Sequence, residues 1–314
     1  MMQQNTCIWY DLTEDLAIEK PLTAIDINER VIAYGDGFFS TMAVVNGKIN
    51  WLNYHQKRCE ISASHLKLTL NLTAVVNRLC DVANQIQQGV LKLIVCRQNQ
   101  SVHGYGFSNS HVHVWLKVMP SDTPIGKNDQ VLTIQPPAFG CCLLQQIPVL
   151  PPNLAGLKLL NTQAQVLACA ELMTYQQHQP NLIDGLVKDA FGNWIEGTFC
   201  NVFYQLNDDN QWFTPPVNRS GVNGVMRQVL MDKCCQNQQA VQERFLQDVD
   251  FKDLSALFFC NAVRGVIPIE RLYFKHDLMG ESLGDALVLQ PRLPTFNQKA
   301  IPTKKPIKPN LTKI

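Results

Sequence analysis

Lys158 lies in an apolar stretch, LAGLKLLN, just before a predicted helix. Apolar surroundings lower the pKa of a lysine and leave the neutral amine that Schiff-base chemistry requires. The same pattern also fits a lysine whose stem packs against the protein while its ammonium group reaches water, and this is the more common arrangement. Lys158 is therefore a candidate nucleophile or base that needs support from other residues.

Glu196 lies late in a predicted strand, in the sequence WIEGTFCNVF. A carboxylate among apolar residues needs a partner, because burying it unpaired is costly. A protonated ring nitrogen of a cofactor would serve. A nearby Lys or Arg would serve as well and is the ordinary partner of a strand-end glutamate.

Two further features could hold a phosphate. Val222, Asn223 and Gly224 stand at the opening of a predicted helix, where free N–H groups and the positive end of the helix dipole favour an anion. Arg58, on the predicted helix YHQKRCE, could add a bidentate contact. Each feature is ordinary when taken alone, since Gly and Asn begin many helices and most arginines are solvated.

The elements that must position these residues form a mixed α+β pattern. In the first part of the chain the patterns predict short strands within 31–50 around an Asn46-Gly47 turn, helices over 54–70 and from Thr73 to Gln88, and strands at 90–96 and 111–119. In the second part they predict a helix from Asn161 or Thr162 to His178, a hairpin around Phe191-Gly192-Asn193, a helix from Gly224 to Cys235, and strands at 255–260 and 266–269.

Composition indicates a globular protein of two domains. Hydrophobic residues make up 46% and charged residues 17% of 314. We expect a smaller domain over 1–120, a Pro- and Gly-rich linker over 121–155, a larger domain over 156–285, and a basic, Pro-rich tail over 286–314 that is disordered. The tail could instead be an anion-binding arm, but its composition favours a solvated segment.

The charge balance excludes some partners. Basic and acidic residues number 27 and 26, so no overall field attracts nucleic acid or an anionic membrane. The N-terminus has no signal-peptide pattern and no apolar run is long enough to span a membrane, so we expect a cytoplasmic protein. The eleven cysteines are not spaced as metal ligands, and His111 and His113 would supply only half of a zinc site, so we expect no metal.

Six motifs, taken in order, resemble the successive signatures of the fold-type-IV pyridoxal-phosphate enzymes: YGDGFF with Ser40-Thr41, NYHQKR, GLKLLN, IEGTFCNVF, GVNGVMR and FFCNAVRGVIPI. The resemblance covers about residues 25–275. The family comprises the branched-chain and D-amino-acid aminotransferases and the aminodeoxychorismate lyases. It implies a two-domain α+β fold, pyridoxal 5'-phosphate held in the interdomain cleft, and a homodimer.

The resemblance also assigns roles. Lys158 matches the lysine that carries the cofactor, and Glu196 matches the carboxylate at the pyridine nitrogen. Arg58 matches the phosphate-binding arginine, Val222 and Asn223 the backbone amides at the phosphate, Asn261 and Ala262 a second loop that reaches it, and Asn201 a polar residue near the ring.

The branch within the family depends on finer features. Aminotransferases of the family carry an acid just after the aromatic residue, whereas Ser40-Thr41 is similar to the hydroxyl pair of the lyases. That branch implies cleavage of the small molecule 4-amino-4-deoxychorismate to 4-aminobenzoate and pyruvate, with Lys158 as base and Ser40 or Thr41 as proton relay.

Substrate binding departs from the lyase pattern at one position. Arg97 matches one arginine of the lyases, but His103 stands where many of them have a second, so a substrate carboxylate would be held less firmly at neutral pH. Two alternatives stay open. One is an aminotransferase of the same fold, and the other is a non-catalytic binding protein on this scaffold, which the presence of both Lys158 and Glu196 disfavours.

Overall fold

The computed structural model describes residues 7–13, 21–121, 125–126, 131–207, 210–274 and 286–296. Two β-sheets organise these residues, one of five strands and one of nine. Helices pack against both sheets, which confirms the predicted α+β class.

The five-stranded sheet comes from the first part of the chain. Its strands are β1 (Ile8–Asp11), β2 (Gly37–Val45), β3 (Lys48–Ile49), β4 (Gly89–Arg97) and β5 (Val112–Pro120), and the helices of this part are α1 (Arg30–Tyr34), α2 (Leu52–His65) and α3 (Leu72–Ile86). The strands pair antiparallel in the order β1-β5-β4-β2-β3. The predicted Asn46-Gly47 turn is confirmed, since both residues have positive φ angles and join β2 to β3. Strand β5 alternates as predicted and buries Val114, Leu116 and Val118 against α2 and α3.

Three predictions in this part were wrong in detail. The segment 31–50, predicted as short strands, begins with the last residues of helix α1, which Gly35 ends in the left-handed conformation. The side chain of Asn71, not Thr73, caps α3 by accepting the N–H of Ala74 at 3.2 Å. Helix α2 ends at His65 rather than near residue 70, because Lys67 has a positive φ angle that a helix cannot contain.

The nine-stranded sheet holds the rest of the described chain. Its strands are β6 (Ala138–Ile147), β7 (Leu182–Asp189), β8 (Trp194–Gly197), β9 (Asn201–Leu206), β10 (Trp212–Thr214), β11 (Gln242–Glu243), β12 (Leu254–Asn261), β13 (Gly265–Tyr273) and β14 (Ala286–Val288), with helices α4 (Gln163–Gln176) and α5 (Val225–Gln236) and a 3₁₀ helix (Asp248–Asp253). The strand order is β11-β10-β9-β12-β13-β6-β7-β8, and β14 pairs with β13. A further pairing of β8 with β9, through Glu196 and Asn201, closes six of these strands into a ring. The predicted hairpin around Gly192 is confirmed, but its second arm is divided into β8 and β9 by a turn at Thr198, Phe199 and Cys200.

Two segments contain more structure than the sequence predicted. The stretch 121–155, predicted as a linker, contributes β6, which pairs in parallel with β7 and β13. Prolines on both sides of the apolar run AFGCCLLQQI dominated the composition of this stretch and hid the strand. The tail was predicted to be disordered from residue 286, but β14 pairs with β13 and the buried Leu289 packs behind it. Residues 297–314 lie outside the described chain, and the domain boundaries themselves stay a prediction.

The larger sheet has helices on both sides of its core. Helix α4 covers one cluster of buried apolar side chains, whereas α5 covers another that also includes Trp51 and Tyr54 from the first part of the chain. These shared contacts fasten α2 to α5. In the described part of the chain none of the helices has the length and apolar character that crossing a bilayer requires.

Candidate active site

A cavity of about 410 Å³ is lined by residues of both sheets. Strand β2 contributes Phe39 and Thr41, and helix α2 contributes Arg58. The remaining wall comes from the segment 157–165 before and at the start of α4, and from residues in or next to β6, β8, α5 and the β12–β13 turn. Eight of the predicted site residues line it: Thr41, Arg58, Lys158, Glu196, Asn201, Val222, Asn261 and Ala262. The structure therefore brings these eight residues together around one cavity.

The main chain around Lys158 is held by β2. The N–H of Phe39 donates to the Lys158 carbonyl at 3.0 Å, and the N–H of Leu160 donates to the Gly37 carbonyl at 3.1 Å. These bonds fix the backbone that carries the lysine. Its Nζ lies 4.8 Å from the centre of the Phe39 ring, in the cavity wall.

The pKa values of Lys158 and Glu196 shift in opposite directions. Burial lowers the pKa of Lys158, the nearby Arg58 guanidinium lowers it further, and the Glu196 carboxylate opposes both. Burial raises the pKa of Glu196, against the effects of the Val222 N–H and the Lys158 ammonium. Both shifts bring the groups closer to their neutral forms, an amine on Lys158 and a protonated carboxyl on Glu196, which suits an amine nucleophile and a carboxylate that shares a proton with a ring nitrogen.

The peptide groups on either side of Val222 are held by the two residues that close the strand ring. Glu196 Oε2 accepts the Val222 N–H at 2.8 Å, and Asn201 Nδ2 donates to the Val222 carbonyl at 2.8 Å. Gly224 follows directly, and a Cβ there would lie 1.9 Å from Asn201 Oδ1. Only glycine fits this approach to the start of α5.

The predicted phosphate amides need a correction. The N–H of Val222 is bonded to Glu196, and the N–H of Asn223 donates to the Gly156 carbonyl at 2.8 Å. Both donors are therefore already used, and Asn223 does not line the cavity. The amides that a helix leaves unpaired belong to its first turn, which begins at Val225, a residue of the cavity wall.

Arg58 lies beside this helix start. Its Nη2 donates to the Asn223 carbonyl at 3.2 Å. Burial lowers the pKa of Arg58 to about 10, so it remains charged at neutral pH. The guanidinium and the N-terminus of α5 together form a positive end of the cavity.

Asn261 is the last residue of β12, and Ala262 begins the turn to β13. Asn261 Oδ1 accepts the N–H groups of Val263 and Arg264 at 3.0 and 2.8 Å. Its Nδ2 donates to Cys200 Sγ at 3.2 Å. Asn261 therefore ties this turn to the β8–β9 turn on the neighbouring strand.

The hydroxyl pair Ser40-Thr41 is divided by the alternation of β2. Thr41 faces the cavity together with Phe39. Ser40 is fully buried on the other face, where its Oγ lies 2.8 Å from His55 Nδ1. The proposal that Ser40 relays a proton is therefore wrong, because neighbouring residues in a strand point to opposite faces.

Arg97 and His103 do not line the cavity formed by this chain. The buried contacts of Arg97 contradict its prediction as a substrate ligand, whereas that of His103 stays a prediction. Arg97 is 2% exposed, and its guanidinium binds the Asp36 carboxylate at 3.0 Å and the carbonyls of Leu66 and Lys67 at 2.6 and 3.1 Å. It closes the C-terminal end of α2. His103 lies on an exposed loop.

Sequence reasoning missed several residues of the site. Asp184 is fully buried, and its Oδ1 accepts the N–H and hydroxyl of Thr198 at 2.8 and 2.7 Å, which holds the β8–β9 turn; burial raises its pKa. An acid inside the apolar strand LIDGLV is the signal that would have found it. Gln165, in the first turn of α4, lines the cavity and hydrogen-bonds Glu196.

The described residues contain no group of three or more His, Cys, Asp or Glu side chains placed to hold a metal ion. All eleven cysteines lie in described segments and are free thiols, and seven of them are buried: Cys59, Cys96, Cys141, Cys142, Cys200, Cys234 and Cys260.

The fold is that of the fold-type-IV pyridoxal-phosphate enzymes. The chain belongs to the amino-transferase class IV family, whose model matches residues 37–272.

Several relatives cover most of the chain. An aminodeoxychorismate lyase of Vibrio harveyi is 26% identical over 79% of this chain and 88% of its own. A D-alanine aminotransferase of Bacillus licheniformis is 22% identical over 80% and 84%. The crystal structure of 4-amino-4-deoxychorismate lyase from Pseudomonas aeruginosa has a TM-score of 0.69 and 29% identity, and the match covers 81% of this chain and 89% of that one.

The family establishes the cofactor as pyridoxal 5'-phosphate. The residues present fit it. A lysine with a lowered pKa faces a buried glutamate, and a charged arginine lies beside a helix start at one end of the same cavity.

The buried position of Arg97 leads to a stability prediction. Arg97→Ala should lower the free energy of unfolding by about 3–5 kcal/mol, because it removes one partner of a buried ion pair and opens the end of α2. Urea denaturation followed by circular dichroism measures this. The control is His103→Ala, which is exposed and should change stability by less than about 0.5 kcal/mol. A stable Arg97→Ala protein with weakened substrate binding would contradict the structural role.

Proposed function

We propose that the protein is an aminodeoxychorismate lyase, which converts 4-amino-4-deoxychorismate to 4-aminobenzoate and pyruvate in folate biosynthesis. The observation that carries the proposal is the similarity to two lyases over about four fifths of the chain, at 26% and 29% identity. The cavity supports it with an amine, a buried carboxyl and a hydroxyl in one wall: Lys158, Glu196 and Thr41.

Three side chains and the start of one helix would hold the cofactor. Arg58 and the first turn of α5 would bind the phosphate, Lys158 would carry the cofactor covalently, and Glu196 would hold a proton at the ring nitrogen. Asn201 acts through Val222, whose carbonyl it binds. Pyridoxal 5'-phosphate bound there withdraws electrons from the carbon that bears the substrate nitrogen.

Lys158 then acts as a base. Its lowered pKa brings it closer to the neutral amine that a base requires, and Nζ would take the proton from the ring carbon that bears the substrate nitrogen. The bond between the ring and the enolpyruvyl oxygen breaks, which makes the ring aromatic. Enolpyruvate leaves with the electron pair and gains one proton on carbon to become pyruvate.

Thr41 is the hydroxyl in a position to deliver that proton. It lies in the cavity wall on the same strand face as Phe39, whose ring contacts the lysine. Ser40 stands where aminotransferases of the family carry an acid, but it faces His55, so the difference between acid and hydroxyl at this position does not act at the reacting atoms.

An aminotransferase of the same fold is the second candidate. The D-alanine aminotransferase of Bacillus licheniformis matches a similar share of the chain, and the same lysine, glutamate and arginine would serve transamination. The homodimer and the cytoplasmic location stay predictions.

Lys158 should be the residue that carries the cofactor. The purified protein should be yellow, and borohydride should remove the visible band and add the pyridoxyl mass to the peptide containing Lys158. Because the pKa of Lys158 is lowered, pyridoxal 5'-phosphate should attach covalently to the apoprotein at a lower pH than it would to an ordinary lysine, whose pKa is about 10.4. A reduced adduct on another lysine would overturn the assignment.

Thr41 and Ser40 should respond differently to loss of the hydroxyl. Thr41→Val should lower kcat about 100-fold, the lower range for general acid–base catalysis. Ser40→Ala should keep kcat within about threefold, while losing about 1–3 kcal/mol of stability because His55 Nδ1 loses its partner. Pyruvate release coupled to lactate dehydrogenase gives kcat, and urea denaturation gives stability. Equal losses of kcat in Thr41→Val and Ser40→Ala would contradict the assignment of the proton transfer to Thr41 alone.

The reaction itself separates the two candidate functions. We would mix the holoenzyme with chorismate, glutamine and an aminodeoxychorismate synthase, without any 2-oxo acid, and follow both products, with Lys158→Ala as the inactive control. A lyase should release 4-aminobenzoate and pyruvate one for one over many turnovers, because the substrate nitrogen stays on the ring. A protein that stalls after one turnover and is released by 2-oxoglutarate or pyruvate is an aminotransferase.

A further inference from the structure

The charged residues that line the cavity differ in whether the proposed function gives them a role. Among the described residues of the wall, three are cations, Lys158, Arg58 and Arg264, and one is an acid, Glu196. Arg58 and Lys158 have places in cofactor binding, and Glu196 is bonded to Val222. Arg264 is the cation that the proposed function leaves without a role.

The backbone of Arg264 is fixed. Its N–H donates to Asn261 Oδ1 at 2.8 Å, and its carbonyl accepts Gln135 Nε2 at 2.8 Å. The next residue, Gly265, has a φ angle of 81°, and a Cβ there would lie 2.2 Å from the Thr133 carbonyl oxygen. Hydrogen bonds and close packing thus fix the turn before and after Arg264 and hold this residue at the edge of the cavity.

The guanidinium of Arg264 is available to a ligand. It lies over the Phe199 ring, with 5.0 Å between Cζ and the ring centre. It makes no ion pair with any residue in the part of the chain that the structure describes. Stacking on an aromatic ring orients a guanidinium and leaves its N–H groups free for a planar, bidentate anion.

We propose that Arg264 is a substrate-binding residue that pairs with a carboxylate of the substrate and makes the site selective for anionic substrates. The inference rests on the proposed function, whose substrate carries two carboxylates. Arg97 is buried in other contacts and His103 lies outside the cavity. Arg264 supplies the contact that the sequence had assigned to those two residues, from the β12–β13 turn instead.

Chorismate provides a binding test that does not depend on turnover. It carries the same two carboxylates but a hydroxyl in place of the amine, so it cannot replace Lys158 on the cofactor. We would titrate chorismate into the holoenzyme by calorimetry, and measure KM and kcat for 4-amino-4-deoxychorismate. The variants are Arg264→Ala and Arg264→Lys, with Arg271→Ala as the matched control. Arg271 is also an exposed arginine stacked on a phenylalanine, at 5.5 Å, but it lies outside the cavity.

Arg264→Ala should raise the Kd for chorismate and the KM for the substrate about 10- to 100-fold, as loss of a charge-assisted contact requires. Its kcat should change less than about threefold, Arg264→Lys should recover part of the affinity, and Arg271→Ala should match the wild type. Equal chorismate binding by wild type and Arg264→Ala, or no binding by the wild type, would overturn the inference even if the lyase reaction proceeds. Binding that depends on Arg264 in a protein without lyase activity would overturn the proposed function alone.

Discussion

The arrangement of the site depends on how the main chain of Val222 is held. Glu196 and Asn201, the pair that closes the strand ring, bind its N–H and its carbonyl. Val222 also forms a parallel bridge with Gly156, two residues before Lys158. A single peptide segment thus sets the distance between the carboxylate, the lysine and the start of α5. A substitution that disturbed this segment would therefore affect Glu196, the Gly156 bridge next to Lys158 and the start of α5 together.

Burial then gives these groups their chemistry. A lysine and a glutamate in water would both be charged at neutral pH, but removing them from water raises the free energy of each charged form. Their mutual attraction opposes this effect only in part, and Arg58 adds to it for the lysine alone. The site consequently carries a surplus of positive charge at the end formed by Arg58 and α5. A dianionic phosphate compensates that surplus, so the same electrostatics that prepares the amine also selects the cofactor.

The sequence predicted the residues that lie in recognisable local motifs and failed where the surroundings are distant. Lys158 and Glu196 were assigned through the motifs GLKLLN and IEGTFCNVF, since their apolar neighbours alone also fitted ordinary buried side chains. Ser40 was misassigned because the face of a strand is decided by what packs against it, here His55. Arg97 was misassigned because its partner Asp36 and the end of α2 are distant in sequence. Strand β6 was missed because its role comes from pairing with β7 and β13, and the prolines on either side of it suggested a linker.

The residues that distinguish lysis from transamination must be other than those that hold the cofactor, which both reactions share. Both reactions need the amine of Lys158, a protonated ring and a bound phosphate, so residues that provide these cannot discriminate. What remains is the wall, where Phe39, Thr41, Phe199 and Arg264 face the cavity without a part in holding the cofactor. A hydroxyl can give a proton to a departing enolate, a step that transamination lacks, and the position of a guanidinium sets where a substrate carboxylate is held. The residues of the cavity wall can therefore change during evolution while the cofactor-binding residues stay the same, which explains how one fold can serve both reactions.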